Sequence, residues 1–385
     1  MILFETIELR LFKTIAASLE LLYLVSARQY LLRSLLLQYM DSITQFTLGA
    51  AIGEAVLGKK IGNKAVLWGG FAGTIPDLDV MFSPFLDNIQ KLGFHRGYSH
   101  SLLFAFVVGP LLGWLFWKWY KNHPSQTTLK DWVLLFFLGI ITHPILDSFT
   151  TYGTQLFLPF SDYRVGINNI FIVDPLYTVP FLLLLIAAMF FNRTSPTRRK
   201  LNNAGLIISS IYMLFTLGTK VYVDRVFAHS LKVQEIEYKR FMSATTPLNS
   251  ILWYSVVEVD SGYYMGYYSL LDKDKNVHFD FIARNDSLLA DIKDSYAVDR
   301  VKWFSSGYYA VRPHKDPEQV KFYDLKFGKM GFEGSPEKFI FAFNLHKLPD
   351  GTVEMHQTGE DGGRDMNIKE AFAQLWQRIK GVKAI

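Results

Sequence analysis

An all-α multi-helix transmembrane bundle followed by a smaller, mainly antiparallel β (α+β) soluble domain is the fold class the sequence predicts. Two observations carry that reading. Long apolar runs fall almost entirely before residue 224, whereas the rest of the 385-residue chain alternates aromatic, charged and turn residues. The ionisable residues of the apolar half gather in short clusters, and charge inside lipid is costly enough that each such group needs a partner or a purpose. Half of the residues are hydrophobic and 16% are aromatic, enough to build a core in each of two domains.

Residues 1–39 show a leucine-rich amphipathic pattern with Glu5, Glu8, Arg10, Lys13, Glu20, Arg28 and Arg33 scattered through it. They carry no signal-peptide cleavage pattern and read as an N-terminal extension or an extra helix, spanning or interfacial. Segments 43–58 and 65–82 are short and glycine-rich, with GxxxG spacing at Gly49/Gly53, Gly58/Gly62 and Gly69/Gly73. That spacing suits close helix approach, or equally turn and packing glycines, and the segments are expected either to span or to re-enter. Segments 101–117, 132–149, 170–191 and 204–223 are each about the length needed to cross a hydrocarbon core.

Lysine and arginine alternate between the connections. Lys59, Lys60 and Lys64, then Lys118, Lys121 and Lys130, then Arg193, Arg198, Arg199 and Lys200 mark one side, predicted to be cytoplasmic. The intervening connections, 83–98 and 150–169, hold only Lys91, Arg96 and Arg164. They and the tail are therefore expected outside the cytoplasm. A net charge of +5 and a pI near 9.0 are explained by these dispersed loop charges, so no nucleic-acid partner is expected, and the bilayer itself is the first partner.

Four polar clusters fall at the outer ends of their segments: 40–45, 76–79, 95–101 and 143–147. His143 and Asp147, four apart, share one helix face and suit a single cation, although a histidine satisfied by its own i+4 carboxylate is the blander alternative. His95 and His100 are five apart, so a turn at Gly97 with Ser99 capping a helix from Ser101 is needed to bring them together. Arg96 is placed to neutralise a phosphate or carboxylate. Asp77 and Asp79 follow Pro76, so one can bind metal while the other orients a histidine. Asp41 and Gln45 are weaker candidates, since a helix N-cap explains Asp41.

With no cysteine in the chain, only nitrogen and oxygen ligands remain, which suits Zn²⁺ or Mn²⁺. The expected ligands are His95, His100, His143, Asp147 and Asp77, with Asp77, Asp79 and Arg96 taking part in the chemistry. Water activation and hydrolysis are what such a set does most naturally. A structural or sensed metal site is one alternative. A metal or proton transporter is another, but apart from Glu54 the ionisable groups gather at one end of the spans instead of lining their depth.

The four clusters, in this order over about residues 40–190, resemble the family of bacterial membrane-bound metal-dependent hydrolases, some of them described as LexA-regulated inner-membrane proteins. That family is in turn distantly similar to zinc-dependent phospholipases C and single-strand-specific zinc nucleases, whose His-x-x-x-Asp pair matches His143 and Asp147. The resemblance implies a phosphoester substrate, a catalytic water between two ions near Asp77, and a place in the bacterial cytoplasmic (inner) membrane; a lipid or envelope-related phosphoester is the expected substrate. It also implies a domain starting at Met40, leaving 1–39 as an extension, and a histidine in many members where this chain has Gln45.

The domain reading is therefore 1–39, 40–223 and 224–385. In the last, a helical pattern is expected to about residue 243, then strands at 252–259, 263–271, 277–282, 301–311, 320–327, 338–345 and 352–357. Pro349-Asp350-Gly351 reads as a hairpin turn, and a helix over 368–380 closes one antiparallel sheet. The aromatic run 263–268 is read as sheet core ahead of a binding face. This domain is expected to lie over the metal mouth and to gate entry.

Overall fold

The computed structural model describes residues 42–123, 125–335, 338–358 and 368–383. The expected extension at 1–39, the start at Met40 and the cap at Asp41 lie outside the described residues. Glycine decides how the described chain opens. Helix α1 (42–61) and helix α2 (Asn63–Thr74) are joined at Gly62, whose φ of 61° is open to glycine at little steric cost. Their backbones then touch. A Cβ on Gly49 would strike the carbonyl of Gly69, and one on Gly53 the carbonyl of Ala65. Close approach is thus the role of the glycines at 49, 53, 69 and 73.

Segment 65–82 is not one span. Helix α2 stops at Thr74, and a 3-10 helix, Pro76–Phe85, begins with proline in its first turn. Helix α3 (Asn88–Phe94) starts from a reciprocal Asp87–Gln90 capping box. A 3-10 turn, Tyr98–His100, leads into α4 (Leu102–Tyr120), which is capped by Ser101 and not, as expected, by Ser99. Helix α5 (Leu129–Asp147) returns antiparallel to α4 and runs through Pro144 to the end that carries the polar clusters.

Helix α6 (Pro175–Met189) corrects the expected span 170–191: Asp174 caps it and Pro175 starts it, leaving 15 helical residues, about 22 Å of rise. Helix α7 (Pro196–Val233) has 38 residues. Helices α4, α5 and α7 are long and apolar enough to cross a membrane. At the end of the bundle away from the polar clusters, Lys60 pairs with Asp131 at 2.6 Å and Arg193 donates to the Lys60 carbonyl at 2.7 Å, tying three basic connections together. Nearby, Glu54 of α1 and Arg198 of α7 form a buried two-point pair at 2.5 and 2.7 Å.

The tail holds two four-stranded antiparallel sheets where one was expected, in the orders β1–β2–β3–β4 and β5–β6–β7–β8. The first comprises β1 (Arg240–Thr245), β2 (Leu252–Glu258), β3 (Gly262–Ser269) and β4 (Phe279–Ala283); the second β5 (Tyr309–Pro313), β6 (Gln319–Lys329), β7 (Phe339–Lys347) and β8 (Val353–Thr358). Strand β1 replaces the helix expected up to 243, because α7 ends at Val233. The expected strand 301–311 is instead the end of helix α8 (Tyr296–Phe304) and the start of β5. The hairpin at Gly351 (φ 84°) and helix α9 (Ile368–Ile379) agree with expectation.

Tyr263, Met265 and Tyr267 of β3 pack with Ala310, Leu325 and Phe339 of the second sheet, so the aromatic run is core. Arg378 of α9 is buried against Asp272 and Glu333, fastening that helix to the sheets. The apolar helices and both sheets belong to one compact unit, Thr44–Ile385. The boundary expected at 223/224 falls inside α7, whose Val223, Val226, Phe227 and Leu231 are embedded against Trp253, Val257 and Tyr268.

Candidate metal centre

Three elements meet at one place. The 3-10 helix after α2 supplies Asp77 and Asp79, the 3-10 turn before α4 supplies His100, and the last turn of α5 supplies His143 and Asp147. Asp77, His100 and His143 each present one ligand atom, all within 4.8 Å of one another. The two imidazole Nε2 atoms face each other at 3.2 Å. Asp77 Oδ1 lies 3.3 Å from His100 Nε2 and 3.4 Å from His143 Nε2, while Asp147 Oδ2 lies 3.4 and 3.6 Å from the same two nitrogens. The expected i, i+4 pair and both separate histidine and aspartate clusters thus meet.

The far sides of both imidazoles are held. His143 Nδ1 sits 2.6 Å from the carbonyl of Gly73, a partner that only accepts, so this nitrogen carries the proton. His100 Nδ1 is 2.9 Å from Ser99 Oγ and 3.4 Å from Asp79 Oδ2. With both Nδ1 atoms serving outward contacts, two Nε2 lone pairs point at one spot between two carboxylates. A shared cation resolves that repulsion, and a carboxylate or carbonyl behind each imidazole is the usual support of metal-bound histidine. Asp147 Oδ2 is buried beside the two imidazoles and makes an ion pair with Arg96 Nε at 3.1 Å. The residues present therefore fit a divalent cation.

His95 goes elsewhere. Its Nδ1 lies 3.0 Å from Asp79 Oδ1, and its ring meets His100 edge-on with centroids 5.7 Å apart. Asp79 serves both histidines and also accepts from Ser99 Oγ at 2.9 Å, which is the orienting role expected of it. Arg96 is buried: its Nε is 3.1 Å from Asp147 Oδ2 and it donates to Thr150 at 2.8 Å. It neutralises a carboxylate of the site itself. Arg96 also makes the turn expected at Gly97, with a left-handed φ of 59°, while Gly97 leaves room for the carbonyls of Gly93 and Phe94. Gln45 donates to Asp147 Oδ1 at 2.9 Å and so positions that carboxylate.

Burial raises the pKa of Asp77 and of Asp79, but both end below the usual carboxylate range. His143 and His100 outweigh burial at Asp77, and His100 and His95 do so at Asp79. Burial lowers His100, yet hydrogen bonds to Asp77 and Asp79 raise it above its ordinary value. Sequence reasoning missed the Gly73 carbonyl, Ser99 and Tyr152. Tyr152 lies between the guanidinium groups of Arg96 and Arg164, at 4.9 and 4.7 Å, and packs on Phe304 and Phe327 of the tail. No sequence signal marks a carbonyl as a support.

Residues 40–223, which contain every one of these site residues, match the YdjM inner membrane protein family. The chain is similar to the uncharacterized protein YfhP of Bacillus subtilis (strain 168), at 26% identity over 335 residues, 83% of this chain and 95% of that protein. It is also similar to the inner membrane protein YbcI of Escherichia coli (strain K12), at 31% identity over 124 residues, 32% of this chain and 69% of that protein. No solved structure matches it. With apolar spanning helices carrying the polar centre, the chain belongs to the YdjM inner membrane protein family.

Proposed function

We propose that this protein is a membrane-bound metal-dependent hydrolase acting on a phosphoester. The observation that carries the reading is the convergence of two imidazole Nε2 atoms, 3.2 Å apart, on the carboxylates of Asp77 and Asp147. His100, His143, Asp77 and Asp147 would hold the ion, Zn²⁺ or Mn²⁺ by their chemistry. When bound, such an ion acidifies water and polarises the oxygen under attack. Asp79 orients His100 and His95, Arg96 and Gln45 hold Asp147, and His95 and Asp77 line the exposed edge of the centre. The resemblance to metal-dependent hydrolases carried by the four polar clusters supports this reading.

By the distribution of lysine and arginine, the centre and the tail face the extracytoplasmic side. The near-complete burial of His100 and His143 favours one competing reading, a closed structural metal site. The partial exposure of Asp77 (20%) and His95 (29%) leaves the open edge that catalysis needs. Metal analysis of the purified protein beside His100→Ala and Asp147→Ala, with a chromogenic phosphodiester as substrate, separates them. Bound metal, activity in the wild type and loss of both in the variants are expected. Hydrolysis that survives His143→Ala would overturn the mechanism, and bound metal without hydrolysis would leave a structural site.

A further inference from the structure

The 3-10 helix Pro76–Phe85 distributes its side chains in a way that suits lipid, not water. Its two charged residues turn inward: Asp77 to His100 and His143, Asp79 to His95 and Ser99. Its large apolar residues, Leu78, Met81, Phe82 and Phe85, turn outward, and Phe85 is 83% exposed. The loop beside the start of α4 repeats the pattern, with Phe157 exposed and Phe160 88% exposed. This loop is fastened to the span, since Leu102 N donates to the Leu156 carbonyl at 3.0 Å. The first turns of α4 then present Leu103, Phe106 and Val107 outward, on a helix that has the length and composition of a span. The lipid-facing surface of the bundle therefore continues past the helix end onto the rim of the metal centre.

Among the donor residues of the centre, Asp77 is the partly exposed one, and Leu78, next to it, faces outward. Exposed apolar patches of this kind mark membrane or partner contacts, and continuity with the spans selects the membrane. We infer that this rim lies in the headgroup layer of the bilayer, and that the centre takes a phosphate-bearing lipid. The acyl chains of that lipid stay among their neighbours while its phosphate reaches the Asp77 edge. The substrate half of this inference rests on the hydrolase reading; the placement of the rim does not.

The chain has no cysteine, so single-cysteine spin labelling in vesicles of phosphatidylethanolamine and phosphatidylglycerol tests the placement directly. Labels at Phe85→Cys and Phe160→Cys should meet oxygen more readily than a water-soluble nickel chelate, as should a label at Phe106→Cys. A label at Asp350→Cys, on the exposed hairpin, should show the opposite. Nickel access at 85 and 160 matching that at 350, or shielding from both probes as in a protein–protein contact, would overturn the inference whatever the activity. In a second arm, combined Met81→Asp, Phe82→Asp and Phe85→Asp should cut hydrolysis of vesicle phospholipid at least tenfold, with metal content and hydrolysis of a soluble phosphodiester unchanged. Equal loss on both substrates would overturn the lipid claim. Labels in lipid with neither substrate hydrolysed by the wild type would overturn the hydrolase reading and the substrate claim with it, leaving the placement standing.

Discussion

Asp79 touches four site residues at once, His95, Arg96, His100 and Ser99, yet it is not among the closest ligand atoms. Supports of this kind typically alter metal affinity by about 10–100-fold when removed. Asp79→Asn should weaken metal binding to that extent, measured by competition with a chromogenic chelator, while circular dichroism stays unchanged; an unaltered affinity would reduce Asp79 to a packing role. At this scale much of the site was legible. His143 and Asp147 could be paired because helical geometry fixes i, i+4 neighbours, and Asp77 and Asp79 because Pro76 breaks the helix before them. His95 was expected as a ligand and is placed on Asp79 instead, because a sequence cannot rank two histidines across a turn whose left-handed residue is Arg96. The carbonyl of Gly73 is a backbone group and leaves no residue signature at all.

Between elements, the contact of α1 with α2 depends on the absence of side chains. Gly49, Gly53, Gly69 and Gly73 face one another's backbones, and Gly73 also supplies the carbonyl behind His143. Gly69→Leu should force the two helices apart, a strain of at least about 1–3 kcal/mol. It is expected to lower the melting temperature and to reduce metal loading together, in a thermal-shift series with and without added Zn²⁺. Wild-type loading in a destabilised variant would uncouple the glycine seam from the centre. Glu54 and Arg198 bind α1 to α7 in a buried pair, and removing one partner of such a pair costs about 3–5 kcal/mol. Arg198→Met should therefore destabilise more than the joint change with Glu54→Gln; a double variant as unstable as the single would show that the charge left behind is not the cause. Elements were read well where period and punctuation agreed, as at α9 and the Gly351 hairpin. They were misread at 301–311, where Ala297, Val298, Val301 and Phe304 bury one helical face and the Ser306–Gly307 turn, with both φ angles positive, separates that helix from β5.

Across the whole molecule, the tail reaches the site through Tyr152, whose carbonyl faces the buried Lys326 ammonium at 3.5 Å; Lys326 also donates to the Phe304 carbonyl, and its backbone N–H donates to the buried carboxylate of Asp324 at 2.9 Å. Burial pushes Asp324 up to about 6 and Lys326 down to about 7, each against the attraction of the other. The carboxyl binds its proton more tightly folded than unfolded, so its contribution to stability falls as pH rises from about 4 to 6. The amine releases its proton more easily when folded, so stability recovers as pH rises above about 7. Asp324→Asn should remove the acid-side slope, worth up to about 3 kcal/mol, and raise the melting temperature relative to wild type near pH 6.5 but not near pH 4. Parallel melting curves for the two proteins would show that the folded carboxyl is not perturbed. A tail lying over the metal mouth was expected; the contacts with Tyr152 come from Phe304 of α8 and Phe327 of β6, and the division into two sheets was not read because strand count does not fix which strands share an edge.

Helix α7, with 38 residues, is about 57 Å long, nearly twice the roughly 30 Å of a hydrocarbon core. Its far end is buried among Trp253, Val257 and Tyr268. The root of the sheets is thus a continuous shaft without a swivel, so a tilt of that helix to match bilayer thickness is passed on to the sheets packed around its end.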